Sequence, residues 1–181
     1  MDVRPARDED VPAVQRVASA AWHAAHADIA GADVVEEFLA EYYTLARLRS
    51  DVADESRLFL VADDAGDDVD DTGRAAPGER ASARRGVVGF ALALPADEEP
   101  DVYALGRIYV HPDRWGEGIG SRLLDRVETG VRERGGSRLR LGVMAENRRA
   151  VGFYEARGFE RVEEGYDDRL DVERYIYAKD L

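Results

Sequence analysis

The sequence predicts an α/β (α+β) protein built on one central sheet. Three observations lead there. Two N-terminal segments space their apolar residues helically, the middle of the chain holds apolar runs of strand length, and the C-terminal half alternates strand with helix. With 181 residues, the chain 1–181 is expected to form a single domain.

The elements follow in order. Val3-Arg4-Pro5-Ala6 reads as a short edge strand ended by Pro5. Asp8 to Ala25 reads as a helix with Val11, Val14, Val17, Ala18, Ala21 and Trp22 on one face. Asp8 suits its N-cap and Pro12 its first turn. Beyond Gly31 a second helix is expected over about Asp33 to Asp51, burying Val34, Val35, Phe38, Leu39, Tyr42, Leu45 and Leu48. Leu58 to Ala62 is a continuous apolar run that suits a buried strand. From about 63 to 85 the composition changes to clustered Asp followed by Gly, Ala, Arg and Ser, which predicts a flexible acidic hairpin loop. Gly86 to Leu94 and Val102 to Val110 are the next strands. A helix follows from about Ile119 to Glu133, with Leu123, Leu124, Val127 and Val131 inward, stopped by Gly135-Gly136. Ser137 to Val143 alternates Leu139, Leu141 and Val143 against Arg138 and Arg140, a half-buried strand. Asn147 to Arg157 is a short helix closed by Gly158, and Phe159 to Glu163 and Val172 to Ala178 are the last two strands.

Composition removes several function classes. There is no Cys, so a disulfide framework, a thiolate metal site and a thiol nucleophile are all excluded. The formal net charge is −13, with 24 Arg and one Lys, Lys179, among the 25 basic residues. Binding along a nucleic-acid backbone needs clustered positive charge and is not expected. No apolar run has the length of a membrane span, and the N-terminus lacks the apolar core of a signal peptide, so a cytoplasmic protein is expected. An acidic surface nearly free of Lys fits a salt-rich cytoplasm, as in a halophilic organism, although a GC-rich genome also favours Arg over Lys. At about 1 M salt the Debye length is about 3 Å, which screens the self-repulsion of such a surface. On this reading the fold weakens as salt is withdrawn. Asp68, Asp70, Thr72, Gly73 and Glu79 are spaced like a calcium loop, but flanking amphipathic helices are missing and Pro77 falls inside, so no metal is expected.

The segment Tyr109-Val110-His111-Pro112-Asp113-Arg114-Trp115-Gly116-Glu117-Gly118-Ile119-Gly120-Ser121 carries the chemistry. A strand ends, Pro112 turns the chain, and three glycines lead into an amphipathic helix. Glycine permits positive φ and close approach of backbone N–H groups, and the helix start adds free donors and a positive dipole end. This predicts an anion cradle. A nucleotide-binding P-loop would need a Lys that is absent, and the spacing Gly116-x-Gly118-x-Gly120 does not match a dinucleotide fingerprint. Downstream, Asn147 and Tyr154 are seven residues apart and share a helical face.

Together, Ile108-Tyr109-Val110-His-Pro, Trp-Gly-Glu-Gly-Ile-Gly-Ser and Asn147-Arg-Arg-Ala150-Val-Gly-Phe153-Tyr154-Glu-Ala-Arg-Gly158-Phe159 resemble the GCN5-related N-acetyltransferase (GNAT) superfamily. The resemblance implies a mixed, mostly antiparallel sheet of six to seven strands flanked by about four helices. It implies an acetyl-CoA-dependent N-acetyltransferase that passes the acetyl group directly to a primary amine, of a small molecule or a protein N-terminus, without a covalent enzyme intermediate. A non-catalytic acyl-CoA-binding regulatory module on the same fold is the alternative. The residues implied for coenzyme A are Ile108, Tyr109 and Val110 on the strand, Arg114, Trp115, Gly116, Glu117, Gly118, Ile119, Gly120 and Ser121 in the loop, and Asn147. The family places Arg or Gln where this chain has Trp115, so Arg114 is a substitute for that contact. Tyr154 matches the general acid that protonates the departing thiolate. No acid lies on the strand before the loop, which leaves Glu146, Asp101, His23 and His26, or a water chain, as candidates for the base. Trp22 and His26 are expected to line the acceptor pocket. Exposed final strands make a homodimer compatible with the sequence.

Overall fold

The computed structural model describes residues 1–64, 86–96 and 99–181. Most of the expected loop at about 63–85, with the calcium-like spacing Asp68 to Glu79, lies outside the described residues. Seven strands form one sheet. They are β1 (Asp2–Pro5), β2 (Leu58–Asp63), β3 (Val87–Pro95), β4 (Val102–Val110), β5 (Arg138–Met144), β6 (Glu160–Asp167) and β7 (Val172–Asp180). The order is β1-β2-β3-β4-β5-β7-β6, and every neighbouring pair is antiparallel except β4 with β5. Among the described residues five α-helices are present: α1 (Val11–Ala30), α2 (Ala32–Tyr42), α3 (Leu45–Ala53), α4 (Ile119–Glu133) and α5 (Arg148–Ala156).

The sheet carries a core on each face, and β2 shows why its apolar run is continuous. Leu58, Leu60 and Ala62 pack with Leu123, Leu124 and Val127 of α4 and Tyr154 of α5. Phe59 and Val61 point the other way, into the layer formed by Val11, Val14 and Trp22 of α1, Val35 of α2 and Leu48 of α3. A strand buried on both faces needs no polar alternation. β5 is half-buried, with Leu139 and Leu141 inside and Arg138 and Arg140 at its flanks, as the alternation predicts.

Several element boundaries differ from the sequence reading, among them the end of α1, which runs to Ala30 rather than Ala25. The expected helix over Asp33 to Asp51 is two helices. Thr44 is extended (φ −67°, ψ 151°) and its Oγ1 accepts from the Arg47 N–H, so it caps a new helix rather than continuing the old one. Asp8 does not cap α1. A short 3₁₀ turn covers Asp8–Asp10, and the carboxylate of Asp10 accepts from the Arg7 N–H (2.8 Å) and from the Arg4 guanidinium (2.7 and 2.9 Å). The last two strands also run further than expected, to Asp167 and Asp180.

A buried ion network ties the helical layer to the sheet. The Asp51 carboxylate at the end of α3 accepts from Arg57 and from Arg107 of β4, the latter at 2.5 Å. The Arg107 guanidinium also donates to the Tyr42 carbonyl (3.3 Å) and lies over the Tyr43 ring, 4.6 Å from its centroid. Among the described residues no helix is long and apolar enough to cross a membrane.

Candidate active site

The site begins with a parting of strands. β4 and β5 pair only at Val102–Ala104 with Arg138–Arg140, and from Leu105 onward β4 keeps β3 as its one partner. The register of β3 against β4 shifts at this point, with Leu92 opposite Arg107 and Ala93 opposite Leu105, so Gly106 is the extra residue of a β-bulge. The parted strands open a cavity of about 930 Å³. Its walls come from Ile108, Tyr109 and Val110 on one side and Leu141, Gly142 and Val143 on the other, with the glycine loop and α5 at one end and α1, α2 and the β6–β7 turn at the other.

The glycine loop forms the cradle. Gly116 (φ 86°) and Gly118 (φ 76°) occupy the left-handed region, which a side chain would strain. A Cβ at either position would meet nothing within 4 Å, so the space beside the loop is open. Gly118 caps α4, and the Arg122 N–H closes the first turn on its carbonyl at 3.1 Å. The N–H groups of Ile119, Gly120 and Ser121 therefore lack helical acceptors and stand at the positive end of a 15-residue helix. An elongated molecule with a pyrophosphate fits such a cleft, phosphates on the cradle and chain along the free edge of β4.

Side chains around the loop are fixed by contacts within the protein. Trp115 Nε1 donates to the Val110 carbonyl (2.8 Å), which locks the loop onto the strand end. The Arg149 guanidinium stacks over the Trp115 ring at 4.2 Å, so Trp115 brings a cation to the wall where it does not supply one itself. Arg114 is bracketed by Asp64 and Glu117, each at 2.8 Å. Glu117 and Arg122 are exposed and do not line the cavity. Asn147 caps α5, its Oδ1 accepting from the Ala150 N–H at 3.1 Å, which leaves its amide nitrogen for another partner.

Tyr154 of α5 lines the cavity and is buried against Phe153 and Phe159 (centroids 5.3 and 5.6 Å). Burial pushes its phenol well above the usual tyrosine value, so the proton stays on at neutral pH.

The opposite end is aromatic. Trp22 stacks on Phe38 (4.4 Å) and lies against His26 (4.5 Å) and Tyr109 (5.9 Å), while its indole N–H donates to the Tyr43 hydroxyl at 3.1 Å. Of the four candidates for a base, only His26 lines the cavity. Glu146 is exposed beyond the end of β5, Asp101 holds Ser137 Oγ (2.6 Å) at the far end of β4, and His23 is tied between the Ser19 carbonyl (2.8 Å) and Glu36 (2.9 Å). Glu146 sits apart because its neighbour Asn147 turns inward at the helix cap and leaves it on the solvent side.

His26 is 7% exposed, and burial lowers its pKa from 6.5 to about 4. The native imidazole is therefore neutral, and the unfolded chain binds a proton first as pH falls. Stability is expected to be lost between about pH 6.5 and pH 4, by up to about 3 kcal/mol. Urea denaturation of the wild type and His26→Gln across that range checks this. The variant should lose less stability on acidification, and a difference that does not change with pH would show that the ring is accessible to protons.

Sequence reasoning missed three contributors. Phe38 joins the aromatic end, where Tyr109, expected on the cofactor side, also packs; Arg149 rides on Trp115; and Asp167, Arg169 and Arg174 enter from β6, the turn after it and β7. The alternation of Val172, Arg174 and Ile176 was a usable signal, since all three face the cavity.

Comparison with known proteins agrees with this geometry. Residues 29–159 match the model of the acetyltransferase (GNAT) family. The structure is similar to that of the PaiA N-acetyltransferase from Thermoplasma acidophilum in complex with coenzyme A, with a TM-score of 0.77, 22% identity, and coverage of 99% of this chain and 98% of that one. It is also similar to the ribosomal-protein-S18-alanine N-acetyltransferase from Escherichia coli, with a TM-score of 0.65, 20% identity, and coverage of 99% and 92%. These likenesses establish the fold. A 51-residue stretch is 43% identical to the thialysine N-epsilon-acetyltransferase of Bos taurus, covering 28% of this chain and 30% of the length of that relative.

Proposed function

The chain belongs to the acetyltransferase (GNAT) family, and from that premise we propose that it transfers the acetyl group of acetyl-CoA directly to a primary amine. The observation that carries this reading is the single cavity wall joining the glycine cradle, the free edge of β4 and the buried Tyr154 phenol. We read residues 1–181 as one such domain.

Acetyl-CoA supplies the thioester that the amine attacks and the thiolate that must leave. The chain's residues bind and orient. The N–H groups of Ile119, Gly120 and Ser121 receive the pyrophosphate, with Arg149 beside them. Gly106 and Ile108, on the edge of β4 that β5 leaves free, align the pantetheine arm, and Asn147 donates its amide nitrogen to it. Val110 contributes through its side chain, because Trp115 already occupies its carbonyl. Tyr154 holds its proton at Oη and gives a hydrogen bond, then the proton, to the departing sulfur. His26, neutral at pH 7, accepts an N–H of the incoming amine and orients its lone pair. With a conjugate acid at about 4 it would not retain a proton at neutral pH, so the amine's proton leaves through water.

Thermal melting with acetyl-CoA, followed by an amine panel read as free CoA release, tests the reading. At a hundredfold excess over Kd the cofactor should stabilise the fold by about 2.7 kcal/mol. CoA binding without release on any amine would favour a regulatory module, and no binding would remove the reading altogether.

A further inference from the structure

The cavity wall is charged against the character of the chain. Six arginines line it, and among the described residues Asp167 is the one carboxylate, in a protein of formal net charge −13. Several of the six are compensated from behind. Arg107 is held by Asp51, Arg114 by Asp64 and Glu117, and Arg140 by Glu99 and Glu163.

The end formed by α1, α2 and the β6–β7 turn is different. Arg169 grips Asp167 with Nε at 3.1 Å and Nη2 at 2.8 Å, while Arg174 reaches the same carboxylate at 3.9 Å. Two guanidinium groups share one negative charge. Moreover, among the described residues two buried side-chain polar atoms lack a hydrogen-bond partner, Arg174 Nε and His26 Nδ1, and both residues line this cavity. A buried donor without an acceptor is unfavourable and calls for one. The edge of a guanidinium that presents Nε and Nη together matches the two oxygens of a carboxylate.

We propose that the acceptor amine carries a carboxylate, bound by the guanidinium head group of Arg174 with that of Arg169 alongside. Such an acceptor is an amino acid or the acidic first residue of a peptide. The proposal rests on the acetyltransferase reading and specifies its substrate class. A polycationic amine would instead meet two guanidinium groups behind one shared carboxylate, an unfavourable juxtaposition.

The test uses amines matched except for the carboxylate: β-alanine against ethylamine, lysine against cadaverine, and Asp-initiated against Asn-initiated tripeptide amides. Free CoA release should give kcat/KM about tenfold or more higher for each acid, the size expected of one hydrogen bond to a charged group. The amino acid and peptide arms identify the source. Arg174→Gln should close the gap, and Arg174→Lys, which keeps the charge without the fork, should restore part of it. A second readout needs no turnover. Calorimetry on the CoA-bound protein should show N-acetyl-β-alanine binding about tenfold more tightly than N-ethylacetamide. Equal kcat/KM within the wild-type pairs, or equal affinity for the two acetylated compounds, overturns the proposal while leaving the acetyltransferase reading in place. Selective binding of the acid without turnover of any amine supports the carboxylate site and overturns the acetyltransferase reading.

Discussion

Tyr154→Phe is expected to lower kcat about a hundredfold, the lower end of what a positioned general acid contributes. The melting temperature and the KM for acetyl-CoA should stay close to wild type. The substitution keeps the ring that packs between Phe153 and Phe159 and removes only an oxygen at the cavity wall. Steady-state kinetics with acetyl-CoA varied at saturating amine separates the two effects. The pH profile adds a second check with a definite sign. Burial raises the Tyr154 pKa, so the proton-bearing form persists as pH rises, and no loss of rate from this phenol should appear below about pH 10, the ordinary tyrosine value. An unchanged kcat in the variant removes Tyr154 from the chemistry and leaves it a core aromatic.

Asp51→Ala is expected to be the most damaging single change to stability, at about 3 kcal/mol, because it leaves a buried charge unpaired. Asp51 is 5% exposed, and the Arg107 side chain that depends on it is 13% exposed. Without the carboxylate, the partners left to Arg107 among the described residues are the Tyr42 carbonyl and the Tyr43 ring. For a chain of this size the loss corresponds to a drop in Tm of roughly 10 °C. Removing both partners, as Asp51→Leu with Arg107→Leu, should cost less than the single change, since no charge is then stranded. A double-mutant cycle by urea denaturation measures the coupling. A single variant as stable as wild type would mean that water reaches the Arg107 head group.

Much of this was written locally in the sequence, and the exceptions share a cause. The glycine loop, the start of α4 and the common face of Asn147 and Tyr154 depend on neighbours within about two turns, so spacing alone reveals them. The cap that splits the second helix was also local, in Thr44, but helical spacing on both sides concealed it. Arg107 with Asp51 and Arg149 on Trp115 join residues far apart in the chain. The arginine pair at the acceptor end depends on the order β5-β7-β6, which brings β7 beside the parted strand. Periodicity places a residue on a face but does not say which strand comes next to it. Glu146 shows the reverse case, since it is adjacent in sequence to Asn147 yet is exposed and does not line the cavity.

The parting of β4 from β5 also bears on how the molecule holds together. Three residue pairs of β4 with β5 carry the backbone pairing between β1–β4 and β5-β7-β6, the cores on the two faces span the join, and past Ala104 the strand edges themselves face the cavity. Whatever fills the cleft touches both parts, so it serves as mortar as well as reactant. Free energy of binding is then also free energy that holds the two edges in register, so occupancy is expected to raise the stability of the sheet on both sides of the join.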